Sequence, residues 1–303
     1  MSHPIHRVCH LLATALLCLV FQSAAHAKIV RVRAKIQKHR TLGELTDTQF
    51  EDLLGRVSAI LSQACKLRGL DCQITIDRTA PLEDFPDLLV SEVQKKLKPF
   101  ELKPGIPSLI DEVLYANRSG IFPVNATAAL LDGTLPTRGE KGLPSEVTVF
   151  VVQKISNGCP GTPLVHVGGC AAILGSSAVI GIRPELSDIS YPKPGEWTRG
   201  DQYLWAHEFG HLLGLWDLDR ATRPSRLMGT DGEQRAAEIS KAEGQVVCAY
   251  PPGSATVRDQ LCRSLVKAGE RSSCESYRPG ERPQIRTNPV NVVGAGRRKQ
   301  KGR

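Results

Sequence analysis

One stretch of this chain decides how the rest of it is organised: HEFGHLLGLWD, from His207 to Asp217. Histidines four residues apart on a helix lie on the same face, one turn from each other, and can bind one metal ion together. Glu208 projects from the adjoining part of that face, where it reaches a water on the metal rather than the metal itself. Gly214 can take the left-handed conformation that ends a helix, so that Asp217 can turn back as a third ligand. The stretch therefore predicts a metal-binding helix followed by a turn.

The other side of the same helix is apolar. Five large side chains recur there at helical spacing: Trp205, Phe209, Leu212, Leu213 and Trp216. An apolar stripe of this kind anchors a helix in a hydrophobic core. We therefore expect one segment to supply metal ligands, a base, a helix stop and a buried anchor.

The residues on either side of this helix predict an α+β fold. The expected strands are 29–36, 73–76, 146–152, 170–174 and 178–182, and the expected helices include 45–67, 84–97, 108–117 and 233–247. Alternation of apolar and charged residues marks 29–36 as half-exposed, while the β-branched run 146–152 is typical of a buried strand. Because a strand–helix–strand crossover makes its two strands parallel, 29–36 and 73–76 should pair side by side. Residues 175–177 should form the turn of a hairpin.

Composition divides the chain into a signal peptide (1–27), an N-terminal sheet-and-helix subdomain (28–217) with an insertion (80–143), a C-terminal subdomain (218–276) and a basic disordered tail (277–303). In the first segment, Arg7 precedes an apolar run at 11–21, and residues 25–27 have the small-x-small form of a cleavage site. The run is too short to span a bilayer comfortably, although an uncleaved membrane anchor is the alternative. We expect a secreted or periplasmic protein without stable membrane insertion.

Most of the positive charge lies in the tail. The chain has a formal net charge of +8, and five cationic residues lie between 297 and 303: Arg297, Arg298, Lys299, Lys301 and Arg303. Such a run can touch anionic surfaces or nucleic acid, but without interleaved aromatic residues it is more typical of a solvated chain end. We therefore expect no nucleic-acid partner.

Seven cysteines follow the signal segment: Cys65, Cys72, Cys159, Cys170, Cys248, Cys262 and Cys274. In an oxidising compartment they indicate disulfides, and short separations favour Cys65–Cys72 and Cys159–Cys170 as local pairs. The odd thiol can stay free, bridge to another chain or cap a metal in a latent form. No cysteine has the tight paired spacing of a structural zinc site.

The motif HExxHxxGxxD, which begins at His207, resembles that of the metzincin zinc peptidases in the snapalysin-like form, where aspartate replaces the third histidine. Members of that family have a methionine turn beneath the metal, and Met228 in the sequence Leu227-Met228-Gly229 lies where that turn should fall. The resemblance implies a twisted mixed β-sheet with helices, an active-site helix at a cleft, and a smaller irregular C-terminal subdomain. The long segment 80–143 departs from the family pattern.

The resemblance also implies an activity and a site. One catalytic Zn²⁺ would be held by His207, His211 and Asp217, and a secreted endopeptidase would hydrolyse peptide bonds through a zinc-activated water with Glu208 as general base. A peptide or protein substrate would lie extended along an edge strand near Gly169–Ile173, where small residues let another backbone approach. We expect a monomer.

Three alternatives stay open on the residues alone. Asp219 competes with Asp217 as the third ligand. A thermolysin-like (gluzincin) peptidase would take that ligand from a later helix, where the candidates are Glu233, Glu238 and Glu243. The site can also belong to a secreted zinc-binding protein without activity, such as an adhesin or toxin component, although such a site needs no base like Glu208.

Overall fold

The computed structural model describes residues 27–43, 45–91, 93, 109–131, 146–156, 158–159, 168–171, 175–182, 197–215, 217, 226–229 and 238–250. In this part of the chain the strands are β1 (Lys28–Lys38), β2 (Cys72–Arg78), β3 (Glu83–Asp84), β4 (Ile121–Phe122), β5 (Val147–Val152), β6 (Lys154–Ile155), β7 (Gly169–Ala171) and β8 (Ser177–Gly181). The helices are α1 (Asp47–Lys66), α2 (Leu109–Ser119), α3 (Val124–Leu130), α4 (Arg199–Leu212) and α5 (Lys241–Ala249). None of these helices has the length and hydrophobicity needed to cross a membrane. The predicted signal peptide up to residue 26 and the predicted basic tail lie outside the described residues.

A mixed sheet forms the centre of the fold. Its strands lie in the order β2-β1-β5-β8-β7, and β3 pairs with the end of β1 beyond β2. The strands pair in parallel, except that β7 runs antiparallel to β8. The parallel β1–β2 pair, the β7–β8 hairpin and the α+β class are therefore confirmed. The predicted strand residues 172–174 lie outside the described part of the chain.

The strands of the sheet differ in whether one or both of their faces are buried. In β1 the buried residues alternate with exposed or half-buried ones, so that only one face of this strand meets the core. In β5, Val149 and Val151 belong to the main core, whereas Val152 belongs to a second cluster with Phe122 on the opposite face. The strand β5 is therefore enclosed on both faces, and all five residues of its neighbour β8 are buried as well.

Helices α1, α4 and α5 share the main core with the sheet. A capping box between Thr46 and Gln49 begins α1, and Phe50 lies on its buried face. Trp205 of α4 and Val247 of α5 belong to the same cluster of buried residues. Because all three helices pack together on one face, helix α4, which carries the predicted ligands His207 and His211, has a fixed position over the sheet.

The predicted helices 45–67 and 108–117 are confirmed as α1 and α2, but two other predicted helices begin elsewhere. Residues 83–84 form β3 rather than the start of helix 84–97, because they pair with β1 and Asp84 forms an ion pair of 2.6 Å with Lys38. In the described part of the predicted helix 233–247, residues 238–240 are not helical. The helix α5 begins only at Lys241, since Ser240 and Glu243 form a capping box there.

The disulfides connect distant parts of the chain as well as near ones. Cys159–Cys170 is confirmed. The predicted pair Cys65–Cys72 is wrong, because Cys72 is bonded to Cys248 while Cys65 keeps a buried thiol. Packing of α5 beside β2 brings the Cα atoms of Cys72 and Cys248 to 5.8 Å from each other across 176 residues of sequence. The division of the chain at residue 217 into two subdomains stays a prediction.

Candidate metal centre

Local sequence signals set both ends of helix α4, which carries the predicted ligands His207 and His211. At its start, the Thr198 hydroxyl accepts a hydrogen bond from the backbone N–H of Asp201, and the Asp201 carboxylate accepts one from the N–H of Thr198. At its other end, Gly214 has φ of 101°, a conformation that only glycine adopts easily. The predicted apolar stripe is buried at Trp205, Phe209 and the two following leucines, and Trp216 lies outside the described residues.

The three predicted ligands converge at the end of this helix. The Nε2 atoms of His207 and His211 are 3.2 Å apart. The Oδ1 atom of Asp217 lies 3.1 Å from Nε2 of His207 and 3.5 Å from Nε2 of His211. Both imidazoles are buried, whereas about half of the Asp217 side chain is exposed. The donor group therefore opens toward solvent on the carboxylate side.

The far nitrogen of each imidazole is held by the backbone. Nδ1 of His207 lies 2.9 Å from the carbonyl oxygen of Leu227, and Nδ1 of His211 lies 2.9 Å from that of Leu215. A carbonyl only accepts hydrogen bonds, so each Nδ1 carries a proton, and in the neutral form of the ring Nε2 presents a lone pair to the space near Asp217. This is the tautomer in which histidine ligands bind metals, with the other ring N–H donated to a carbonyl.

The spacing of the three donors fits a tetrahedral ion. Zinc bonds of about 2.0–2.2 Å to nitrogen and oxygen place tetrahedral ligands roughly 3.3–3.6 Å apart. The three donor separations of 3.1, 3.2 and 3.5 Å are close to that range. Two imidazoles and one carboxylate also leave a fourth position for water or substrate, which is the arrangement of catalytic rather than structural zinc sites. The residues present therefore fit zinc.

The electrostatics of the donors favour a positive charge among them. Burial alone would lower the pKa of His211, but the Asp217 carboxylate above all, with the Glu208 charge and the Leu215 carbonyl, raises that pKa to about 9. Burial alone would raise the pKa of Asp217, but the two histidines hold it far below its ordinary range. A cation bound here would meet the same field.

The proposed base lies beneath the edge strand β7. Glu208 is 3% exposed and its charge acts on His211. A Cβ atom added to Gly169 would lie 2.5 Å from Oε1 of Glu208 and 2.6 Å from its Cδ. The backbone of β7 therefore lies close to the carboxylate, and a side chain at position 169 would force one of the two groups to shift.

Residues 226–229 lie beneath the histidines. Met228 is fully buried, and a Cβ atom added to Gly210 of α4 would lie 2.6 Å from its sulfur. The preceding residue, Leu227, provides the carbonyl that accepts from His207. Met228 thus packs directly against the helix that carries both histidines, within the short turn at residues 226–229. Its assignment as a methionine turn stays a prediction.

The alternative ligands lie outside the donor cluster or outside the described part of the chain. Among the described residues, the donor cluster around α4 contains only His207, His211 and Asp217. Glu243 pairs with Arg226, and Glu238 is exposed and outside the donor cluster. Asp219 and Glu233 lie outside the described part of the chain.

Three contacts at the site were not predicted: those of the Leu215 and Leu227 carbonyls with the histidines, and that of Gly169 in β7 with Glu208. The Leu215 carbonyl follows from the turn at Gly214, so the helix-ending glycine was a usable signal. No local pattern identifies the other two, because they approach α4 from distant parts of the chain.

Comparisons with known proteins found distant structural likenesses, of which three are described. No model of a protein family matches the sequence, and no curated protein matches it. Archaemetzincin from Methanopyrus kandleri is 15% identical, with a TM-score of 0.37, over 72% of this chain and 93% of that one. A zinc-dependent peptidase from Methanocorpusculum labreanum (strain Z) is 17% identical, with a TM-score of 0.30, over 76% of this chain and 99% of that one. Metalloproteinase-II from Bacteroides fragilis is 12% identical, with a TM-score of 0.31, over 75% of this chain and 54% of that one. Likenesses this distant assign neither a ligand nor an activity to this chain.

Proposed function

We propose that this chain is an exported zinc-dependent endopeptidase of the metzincin type. It would hold one zinc ion with His207, His211 and Asp217, with Glu208 as general base and Met228 in the methionine turn. One observation carries the proposal: the two Nε2 atoms and Oδ1 of Asp217 converge within 3.5 Å while both Nδ1 atoms are engaged by backbone carbonyls. Such an arrangement presents three lone pairs to one point, which a hydrogen-bonded structural histidine pair does not require.

The chemistry follows from the ligand set and the base. A zinc ion bound by these donors supplies Lewis acidity, which polarises an amide carbonyl and makes water a stronger acid. The carboxylate of Glu208 accepts a proton from the attacking water and passes it to the nitrogen of the leaving amine. Because Glu208 is buried against Gly169, its carboxylate is restricted to a small region and is shielded from bulk water.

The edge strand β7 supports an extended polypeptide as the substrate. It pairs with β8 on one side and is the last strand in the described sheet. A peptide added to its other edge would gain backbone hydrogen bonds as a further strand. The contact between Gly169 and Glu208 would then bring the peptide backbone near the base. Binding of this kind accepts the interior of a chain, which favours endopeptidase activity.

The disulfides support a location outside the cytoplasm. Disulfides persist in oxidising compartments, and the chain contains Cys72–Cys248 and Cys159–Cys170. Together with the apolar segment at 11–21, they favour a secreted or periplasmic protein.

Three variants test the proposal. Glu208→Gln keeps the shape of the side chain and removes the base, so it should retain one equivalent of zinc while hydrolysis of a peptide library is abolished. Asp217→Ala should lose zinc. Glu238→Ala is the matched control, because its side chain is exposed and outside the donor cluster. Zinc content and cleavage are measured on the same purified samples.

The outcomes separate the candidate functions. Substantial turnover by Glu208→Gln would contradict its role as base. Loss of zinc in Glu238→Ala but not in Asp217→Ala would favour the thermolysin-like ligand set. A folded, zinc-loaded wild-type protein that cleaves nothing in a broad library would favour a zinc-binding protein without activity.

A further inference from the structure

The Nδ1 atom of His207 is held by a backbone carbonyl. This atom donates to the carbonyl oxygen of Leu227 at 2.9 Å, and this bond sets both the protonated nitrogen and the direction of the ring. Leu227 lies in a short turn rather than in a helix or strand of the sheet. The residues that fix this turn therefore also set the direction of the Nε2 atom of His207.

A buried ion pair holds the turn. Arg226, next to Leu227, is 3% exposed and its Nη2 pairs with Oε2 of Glu243, which is 2% exposed. The same oxygen of Glu243 accepts a hydrogen bond of 2.6 Å from the backbone N–H of Ser240. In addition, the N–H of Leu227 donates to the carbonyl of Glu238 at 2.9 Å. The turn is thus attached to the beginning of α5 at two successive residues.

Helix α5 is itself a fixed support. Its Cys248 is bonded to Cys72 of β2, and Arg68 at the end of α1 donates a hydrogen bond to the carbonyl of Ile239 just before it. Val247 of α5 is fully buried in the main core. A side chain that is attached to this helix is therefore attached to the sheet.

We propose that Arg226 and Glu243 are positioning residues, which hold the Leu227 carbonyl and thereby the Nε2 atom of His207 for metal binding. A buried ion pair contributes little net stability compared with a well-packed apolar pair, because both charges lose their hydration. Its directed hydrogen bonds instead fix one geometry of the turn. This inference rests on the proposed zinc site.

The test compares metal binding with stability in the purified protein. In Arg226→Met combined with Glu243→Leu, both charges are removed together, so that neither is left buried and unpaired. In Glu243→Gln the side chain keeps its shape and an oxygen for both Arg226 and the N–H of Ser240, but it loses its charge, so this variant weakens the pair without removing it. The readouts are zinc affinity by chelator competition, the visible spectrum of the cobalt-substituted protein, and the Tm of the metal-free protein.

The double variant should lose zinc affinity by about ten- to hundred-fold and show an altered cobalt spectrum, and Glu243→Gln should show a smaller loss in the same direction. Val113→Ala is the matched control for lost stability: Val113 is fully buried in a separate small cluster with Val93 and Ala129. It should lower the Tm without changing the zinc affinity or the spectrum.

Zinc affinity within about two-fold of wild type in both variants, with an unchanged cobalt spectrum, would overturn the inference whatever happens to the Tm. The inference would also fail if Val113→Ala reduced zinc affinity as much as these variants at an equal loss of Tm. Failure of the wild-type protein to bind zinc at all would instead reject the proposed function, and this inference with it.

Discussion

Replacing Gly169 with alanine tests whether β7 holds the Glu208 carboxylate in place. The new Cβ atom would lie 2.5 Å from Oε1 and 2.6 Å from Cδ, whereas ordinary contacts begin near 3.4 Å. One of the two groups must therefore move by about 0.9 Å. Since Glu208 is only 3% exposed, its carboxylate has little free space in which to rotate away.

The expected loss of activity follows from that displacement. A misplacement of about 1 Å at a reacting group costs roughly 100-fold in rate. This corresponds to about 2.7 kcal/mol in the activation free energy. Overpacking should lower the free energy of unfolding by about 1–3 kcal/mol, so the variant should remain folded. Zinc content should not change, because the added methyl group faces the base rather than the ligands.

The assay is kcat/KM on a peptide cleaved by the wild-type protein, with zinc content and Tm measured on the same samples. Gly55→Ala is the matched control, since a Cβ atom there has nothing within 4 Å on the exposed face of α1. That control should keep full activity and raise the Tm by about 2–4 °C, because alanine stabilises a helix interior by about 1 kcal/mol. Wild-type kcat/KM in Gly169→Ala would refute the contact between β7 and Glu208.

Two further predictions concern protons and thiols. Because the pKa of His211 is raised to about 9 and zinc binds only neutral imidazole, zinc binding at pH 7.5 should release about one proton, and apparent affinity should rise with pH up to about 9. Calorimetry in buffers of different ionisation enthalpy measures that proton, and binding enthalpies independent of buffer would contradict it. Burial raises the pKa of the Cys65 thiol to about 11, so alkylation at pH 8 should spare Cys65 in the native protein and modify it after denaturation. Peptide mapping should recover Cys72 linked to Cys248, and a Cys65–Cys72 peptide would show that the pairing differs.

The disulfides show which kinds of information the sequence carries. Cys159 and Cys170 are 11 residues apart, and their pairing was predicted from that short separation. The same reasoning failed for Cys65 and Cys72, since the partner of Cys72 lies 176 residues away on α5. Short loops restrict their ends to each other, but proximity across most of the chain depends on how helices pack on the sheet.

The helix boundaries show a similar limit. The periodicity that predicted α1 reports a continuous apolar face, and its buried residues confirm that face. The segment after residue 83 has helical character in its sequence, yet Glu83 and Asp84 pair with β1. Pairing with an existing strand overrides local preference, because it satisfies backbone hydrogen bonds that the isolated segment leaves to water.

The sequence by itself determined the donors and the geometry that depends on neighbouring residues. Spacing of four residues places His207 and His211 on one face, and Gly214 ends the helix so that Asp217 returns to them. The relative positions of these three side chains could be predicted because they depend only on the geometry of one helical turn and on the conformation of one glycine.

Only the tertiary structure decided how that donor group is held. The Leu227 carbonyl that orients His207, the ion pair of Arg226 with Glu243, and the approach of Gly169 to Glu208 all join segments that are distant in the chain. Their positions follow from the packing of α4, α5 and β7 around one core. The residue pattern within a single segment does not indicate which other segment it will contact.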